Sequence, residues 1–558
     1  MGIAPTVSAI GIHASTLDYA ILAVYFLVVL GIGVVARLTI KTDVDYFLSG
    51  RSLPAWITGL AFMAANLGAL EILGMAANGA QYGVATVHYY WIGAVPAMVF
   101  LGVVMMPFYY GAKVKSVPEY LRLRFGNFAH SYNAASFAVA TILISGVNLF
   151  ALALVVHLLL GWSIATAIFV AAAIVLVYIG LGGLTSAIYN EVLQFFIVIA
   201  SLLPLVIVGL HSVGGVSGLK DRVRHSTLGE LGLHAWKGLG IGHVTNPIGG
   251  SWLPMVLGLG FVLGFGYWTT NFAEVQRALS ARNMSAARRT PLIGAFPKLF
   301  FPLLTVVPGL IALVLIPGLG KANPSLQYNA AVPLLMGKFL PEGMLGLAIT
   351  GLLAAFMAGV AANVTSFNTV VTYDLWQSYV QKDRDPAYYV RVGRLATFIG
   401  LVISIGTAFV AENNTNIMNY VQQLFSIFNA PLFATFIIAM YWRRATPVAG
   451  GLSLIAGMAA AETTLLLGSH HVLNLGSKIA STWYDALAAF GVAAIVLVVV
   501  SLFTKPREEE DLRGLVWGLK RRDQESDAII GDEKWFRQPV LLGGIALGIG
   551  IALDVIFA

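Results

Sequence analysis

The sequence predicts an all-α polytopic membrane protein with about fourteen transmembrane helices. Three observations carry that prediction. Apolar residues make up 58% of the 558 and charged residues 11%, with a mean hydropathy of +0.82, whereas soluble domains carry roughly 25% charged residues. The apolar residues are gathered into fourteen runs near the about 20 residues that a spanning helix needs. Two of those runs, the second and the seventh, carry glycine-rich interruptions, and each opens a group of five. The same composition excludes a cytosolic enzyme, a disordered chain and a nucleic-acid binder, although the pI is near 9.3. With no cysteine there is no disulfide framework, thiolate metal site or cysteine nucleophile.

Cutting at charge clusters and at Gly, Pro and Asn turns places the spans in order. The first, 18–38, follows residues 1–17, which hold no Lys or Arg. It lacks the basic flank of a cleavable signal peptide and is expected to be retained as an extra N-terminal helix. A first group, 54–211, holds the segments 54–80, 88–111, 131–160, 162–183 and 187–211. A second, 251–441, holds 251–280, 291–318, 343–377, 388–411 and 416–441. The C-terminal part, 446–557, adds 446–468, 482–503 and 539–557. Together they form a single transmembrane domain over 1–558. With the amino terminus outside, the loops facing the cytoplasm hold 26 of the 33 Lys and Arg. That is the positive-inside bias, and it predicts both termini outside a cell membrane. Two connections are long, 212–250 outside and the cytoplasmic loop 504–538. The latter opens Lys505-Pro506-Arg507-Glu508-Glu509-Glu510-Asp511 and is expected to be a solvated connector, with Trp517 and Trp535 suited to the lipid interface.

Irregular backbone inside a bilayer survives only where it is buried in protein or lines a cavity. The second span runs through Ala64-Ala65-Asn66-Leu67-Gly68-Ala69-Leu70-Glu71; the seventh runs through Gly258, Gly260, Gly264 and Gly266 to Tyr267-Trp268-Thr269-Thr270-Asn271. Interrupted helices at corresponding positions of two halves point to the solute and ion site of an inverted-repeat transporter. The plainer reading is that the glycines let helices pack closely. Intramembrane charge sharpens the choice, because an ionisable group at the bilayer centre costs at least ~2.5–3.5 kcal/mol and usually faces a cavity. Glu71 stands alone among ten uncharged residues on either side. Lys298 follows Pro291 inside the eighth span, against the reading of a snorkelling lysine. Glu274, Glu191 and Glu462 fall in or near span ends, and His157 and His211 read as interfacial or internally satisfied groups.

At these residues the chain resembles the sodium/solute symporter family, in its sodium/glucose cotransporter-like branch, over most of 18–445. The markers are Asp45-Tyr46-Phe47-Leu48-Ser49-Gly50-Arg51, Ser116-Val117-Pro118-Glu119-Tyr120-Leu121-Arg122-Leu123-Arg124-Phe125-Gly126, Gly182-Gly183-Leu184 with Asn190-Glu191-Val192-Leu193-Gln194, Gln276-Arg277-Ala278-Leu279-Ser280-Ala281-Arg282-Asn283, and Pro308-Gly309. The resemblance implies a five-plus-five inverted-repeat core of the leucine-transporter type with flanking helices. It implies secondary active, cation-coupled symport of a small polar solute, a sugar among the candidates, by alternating access.

Carried over by motif, the substrate positions are Glu71, Tyr90, Gly264, Lys298 and Gln422, with Tyr267 as aromatic inner gate. Lys298 and Gln422 keep the family's residue types. Glu71 replaces a neutral amide or imidazole, Tyr90 a carboxylate and Gly264 a polar side chain, so the pocket is rebuilt. The sodium positions fall on the carbonyls of Ala64, Leu67 and Ala355 and on Ala358 and Gly359, where the family has hydroxyls. Hard cations need several oxygens, and both hydroxyls are missing. Ala361 and Ala362 stand where some relatives have serines for a second sodium, whose acidic partner would match Glu191. Two coupling schemes remain open: Na+ held by the carbonyls of Ala64, Leu67 and Ala355, water and a further residue, or a proton at Glu71 or Glu191. No other cofactor is expected, and the partners are the solute, the coupling cation and the lipid bilayer.

Other classes fit less well. An intramembrane enzyme would need a nucleophile, paired carboxylates or metal ligands, and the chain has no cysteine, no His-Glu-x-x-His and no Gly-x-Gly-Asp. A sodium-independent facilitator or a transporter-like solute sensor is the alternative function, and a carboxylate or an amine the alternative solute.

Overall fold

In lipid every backbone N–H and C=O must find its partner within the protein, so long apolar runs become helices. The computed structural model describes residues 15–38, 40–68, 70–320, 326–412, 416–470, 472–519 and 534–558. Among the described residues twelve helices are long and apolar enough to cross a membrane, from Thr16–Arg37 to Pro539–Ile556. The second predicted span adds a bent pair, Ala55–Asn66 and Leu70–Tyr82, turned by 59°. Its helix stops where Leu67 leaves helical geometry (φ −73°, ψ 30°); Ala69 lies outside the described residues. The fifth predicted segment is a short apolar helix, Ile164–Val177. It runs on into the sixth as one helix, Ile164–Val213, kinked at Gly183. Gly183 takes φ +53°, and a Cβ there would stand 2.5 Å from the carbonyl oxygen of Tyr46.

The seventh span departs from expectation. Its glycines do not break it: Met255–Phe265 is a wide π-helical stretch that continues into Gly266–Thr270. The chain turns only at Asn271, which is extended (φ −71°, ψ 112°) and caps a separate short helix, Phe272–Leu279. Glu274 therefore lies beyond the span. The glycines serve close packing instead. A Cβ on Gly258 would meet the Trp483 carbonyl oxygen at 2.5 Å, and one on Gly264 would meet that of Gly93 at 2.7 Å.

Burial separates the core from the rim. The ninth span, Met344–Val380, has 89% of its most apolar stretch buried, whereas Pro539–Ile556 has 22% and faces outward. Polar motifs staple helix ends together. Arg124 is fully buried and donates to the carbonyls of Ala439, Trp442 and Ala445 at 3.1, 3.0 and 2.9 Å, capping the C-terminal end of Ile417–Tyr441, where a cation also complements the helix dipole. Ser116 and His130 both meet Asp374 Oδ1, at 2.8 and 2.9 Å. Gln276 donates to the Phe47 carbonyl at 3.0 Å and to Thr369 Oγ1 at 2.8 Å. The loop after the thirteenth span is not wholly solvated. Leu512, Val516 and Leu519 are buried together, and Tyr120 and Met440 bond its backbone at Leu515 and Trp517. Trp517 and Trp535 remain exposed, and 520–533 lie outside the described residues.

Candidate functional site

The bend in the second span, the π-helical turns of the third and seventh, and the inner faces of the fourth, eighth, ninth and eleventh enclose one cavity of about 90 Å³. That is room for several waters at ≳ 10–15 Å³ each. All six substrate positions expected from the sequence, Glu71, Tyr90, Gly264, Tyr267, Lys298 and Gln422, line it. Of the ion positions Gly359 lines it, while Ala64, Leu67, Ala355 and Ala358 are buried beneath the surface.

Lys298, 2% exposed, enters from the helix Met284–Phe300. Its Nζ forms an ion pair with Glu71 Oε1 at 2.8 Å and donates to Asn66 Oδ1. It also lies over the rings of Tyr90 and Trp268, 5.0 and 5.2 Å from their centroids. A buried ammonium is tolerated only with partners of this kind, and carboxylate, amide oxygen and two π faces supply them. Asn66 in turn donates to Tyr267 Oη at 3.0 Å, and Tyr267 donates to Glu274 Oε1 at 2.6 Å. A continuous polar relay therefore runs Glu71, Lys298, Asn66, Tyr267, Glu274. The Tyr90 hydroxyl is bonded to Thr305 Oγ1 at 2.6 Å, so Tyr90 offers the cavity its ring. Gln422 Nε2 has only Met418 Sδ at 3.8 Å, and its Oε1 has no hydrogen-bond partner.

The ion positions hold a surprise. A Cβ on Gly68 would stand 2.5 Å from Asn148 Oδ1, and one on Gly359 2.6 Å from the same atom. The carboxamide of Asn148, whose Nδ2 donates to the Ile144 carbonyl at 3.1 Å, thus fills the notch between the broken helix and the ninth span. An amide oxygen stands where the missing hydroxyl of position 359 would have projected. Glu191 also differs from expectation. It is fully buried and bound through both oxygens by Arg277, Nε to Oε2 at 3.2 Å and Nη2 to Oε1. A bidentate guanidinium thus satisfies both of its oxygens.

Sequence reasoning left Asn66, Asn148, Trp268 and Glu274 out of the site, and all four line the cavity. The signal for the asparagines was their position in otherwise apolar spans. Glu274 was visible as a charge near a span end, but its facing could not be known while the span was drawn through to residue 280.

Comparison with known proteins places this geometry. The family model described as "Sodium:solute symporter family" matches residues 46–457. Sodium/glucose cotransporter 4 of Homo sapiens is 28% identical over 542 residues, covering 91% of this chain and 79% of that protein. Sodium/glucose cotransporter 1 of Ovis aries is 27% identical over 547 residues, covering 91% and 82%. Among solved structures, a substrate-bound, outward-open Na+-coupled sialic acid symporter is similar with a TM-score of 0.73 at 18% identity, over 88% of this chain and 99% of that one. A closed conformation of Mhp1, a nucleobase-cation-symport-1 family transporter, is similar at 0.52 and 14% identity, over 86% and 99%.

Proposed function

The chain belongs to the sodium:solute symporter family, is a cation-coupled symporter in the membrane, and on that premise we propose that sodium is its coupling ion and a polyhydroxylated, sugar-like solute its cargo. The observation that carries the cargo reading is Gln422. Its carboxamide is buried, faces the cavity and has no nitrogen or oxygen partner. Leaving such a group unpaired costs roughly 1–3 kcal/mol, a cost that a solute hydroxyl, as both donor and acceptor, removes. The Trp268 and Tyr90 rings supply flat apolar walls. A carboxylate solute is opposed by the same geometry, because Lys298, the cation of the cavity, is already paired with Glu71.

For sodium, the carbonyls of Ala64, Leu67 and Ala355 and Asn148 Oδ1 would supply oxygens of the type a hard cation prefers. In this reading Asn148 restores the oxygen lost at Gly359. The repeats 54–211 and 251–441 rock about this centre, with both termini outside. The relatives' names, sodium/glucose cotransporters, support the same reading. The test is uptake of labelled D-glucose, myo-inositol, acetate and choline into proteoliposomes, with sodium and pH gradients imposed separately. Sodium-driven accumulation of D-glucose or myo-inositol is expected. Accumulation of acetate or choline alone refutes the cargo reading, and accumulation indifferent to sodium refutes the ion.

A further inference from the structure

Among the described residues, two buried acidic side chains line the cavity, Glu71 and Glu274, and a third, Glu191, is buried behind it; two of the three have a base. Glu71 is paired with Lys298 and Glu191 with Arg277. Glu274, 2% exposed, has neither. Its Oε1 accepts from Tyr267, and its Oε2 is buried with no hydrogen-bond partner. The cluster Glu71, Lys298, Glu191, Arg277 and Glu274 therefore carries one negative charge in excess when all five are ionised.

The two cations nearest Glu274 are each hydrogen-bonded or ion-paired to another partner. Arg277, on the same helix, is committed to Glu191 and to the Ala273 carbonyl. Lys298 from the eighth span is committed to Glu71 and Asn66. Ala55–Asn66 and Met344–Thr369, both packed against the helix of Glu274, contain no titratable side chain. On the remaining packed elements Asp43 is bound by Tyr373, Asp45 caps its own helix, Tyr109 and Tyr110 donate to the carbonyls of Thr269 and Ala281, Arg289 donates to the Ser285 carbonyl, and Tyr46 and Arg288 complete the set.

We propose that Glu274 is a proton-binding site of the transport cycle, its free Oε2 taking a proton from cavity water. A hard metal cation requires several oxygens, whereas a proton requires one lone pair, and Oε2 offers that. Because Tyr267 donates to Oε1 of the ionised carboxylate, a proton on Oε2 removes the charge assistance and weakens that hydrogen bond. Through Asn66 the same event reaches the Glu71–Lys298 pair. The inference rests on the reading of the cavity as a transport site, but not on sodium or on a sugar as cargo.

The test needs no solute. Full-length protein in detergent is titrated with pH while the carboxyl C=O stretch is followed by infrared difference spectroscopy, in the wild type and in Glu274→Gln, Glu71→Gln and Tyr267→Phe. A protonated-carboxyl band is expected to grow on acidification in the wild type and in Glu71→Gln and to be absent from Glu274→Gln. Tyr267→Phe removes the hydrogen bond that favours the ionised form, so its midpoint is expected to rise by about one unit. A titrating band that survives intact in Glu274→Gln, or a midpoint unmoved in Tyr267→Phe, overturns the proposal. Should Glu274→Gln fail to fold, Tyr267→Phe keeps the carboxyl and decides alone. A null result in D-glucose uptake would refute the cargo reading and leave the spectroscopic result standing.

Discussion

Replacing Lys298 by methionine removes the ammonium while nearly keeping the volume of its stem. Two unit charges 2.8 Å apart attract by about 6 kcal/mol at an effective dielectric near 20. The two aromatic contacts add about 1 kcal/mol each. Against this stands the desolvation of the ammonium, several kcal/mol, which methionine does not suffer. The net cost of stranding one partner of a buried pair is about 3–5 kcal/mol. At about 2.1 cal/mol/K per residue, the 558 residues unfold with an entropy of about 1.2 kcal/mol/K, so Tm falls by about 3–4 °C. The double variant Glu71→Gln/Lys298→Met restores the wild-type net charge of the cavity and is expected to recover most of that loss. Glu71→Gln alone costs less than Lys298→Met, since Lys298 keeps Asn66, two rings and the nearby Glu274. Thermal unfolding in detergent, followed by tryptophan fluorescence at one heating rate because such unfolding is often irreversible, yields the cycle. Strictly additive single and double variants would refute the pair as an energetic unit.

Gly183→Ala combines a positive φ with a Cβ 2.5 Å from the Tyr46 carbonyl oxygen, and is expected to cost about 2 kcal/mol or more through strain and displacement of Asp43–Leu48; lower Tm is the readout. Gly359→Ser, which restores the family hydroxyl, collides with the Asn148 amide. It is expected to destabilise alone and to be rescued by Asn148→Ala, and a pair that fails to rescue would show that the notch is not shared. Asn148→Ala alone is expected to raise the sodium concentration for half-maximal uptake by about tenfold, the 1.4 kcal/mol of a lost oxygen ligand, with little change in pH dependence. Gln422→Leu is expected to weaken D-glucose uptake at least tenfold while Tm holds or rises, because a buried unpaired amide is replaced by an apolar group of similar size.

How much of the site was legible in the chain depends on how far apart its parts lie. Glu71, Tyr90, Gly264, Tyr267, Lys298 and Gln422 were singled out because each sits at a fixed offset from a recognisable motif, and all six line one cavity. What each does there was not legible. Tyr90 turned out to spend its hydroxyl on Thr305, and Glu191 to be matched by Arg277, because a partner many residues away is chosen by helix packing. The glycines of the seventh span showed the same limit. Composition marked them as special, but a hinge and a close helix contact both select glycine. Only the carbonyls of Gly93 and Trp483 against Gly264 and Gly258 separate the two.

The chain by itself determined that this protein lives in a membrane, roughly where each helix lies, which loops carry the positive charge and which family it resembles, since all of these follow from local apolar length, charge placement and motif spacing. The tertiary structure decided the electrostatics of the centre. It set Glu71 against Lys298, drew Asn148 into the gap left by two glycines, and left Glu274 with one free oxygen. The physical reason is that in a low-dielectric interior the state of a charge is set by the few groups within about 3–5 Å, and those groups come from helices far apart in the chain.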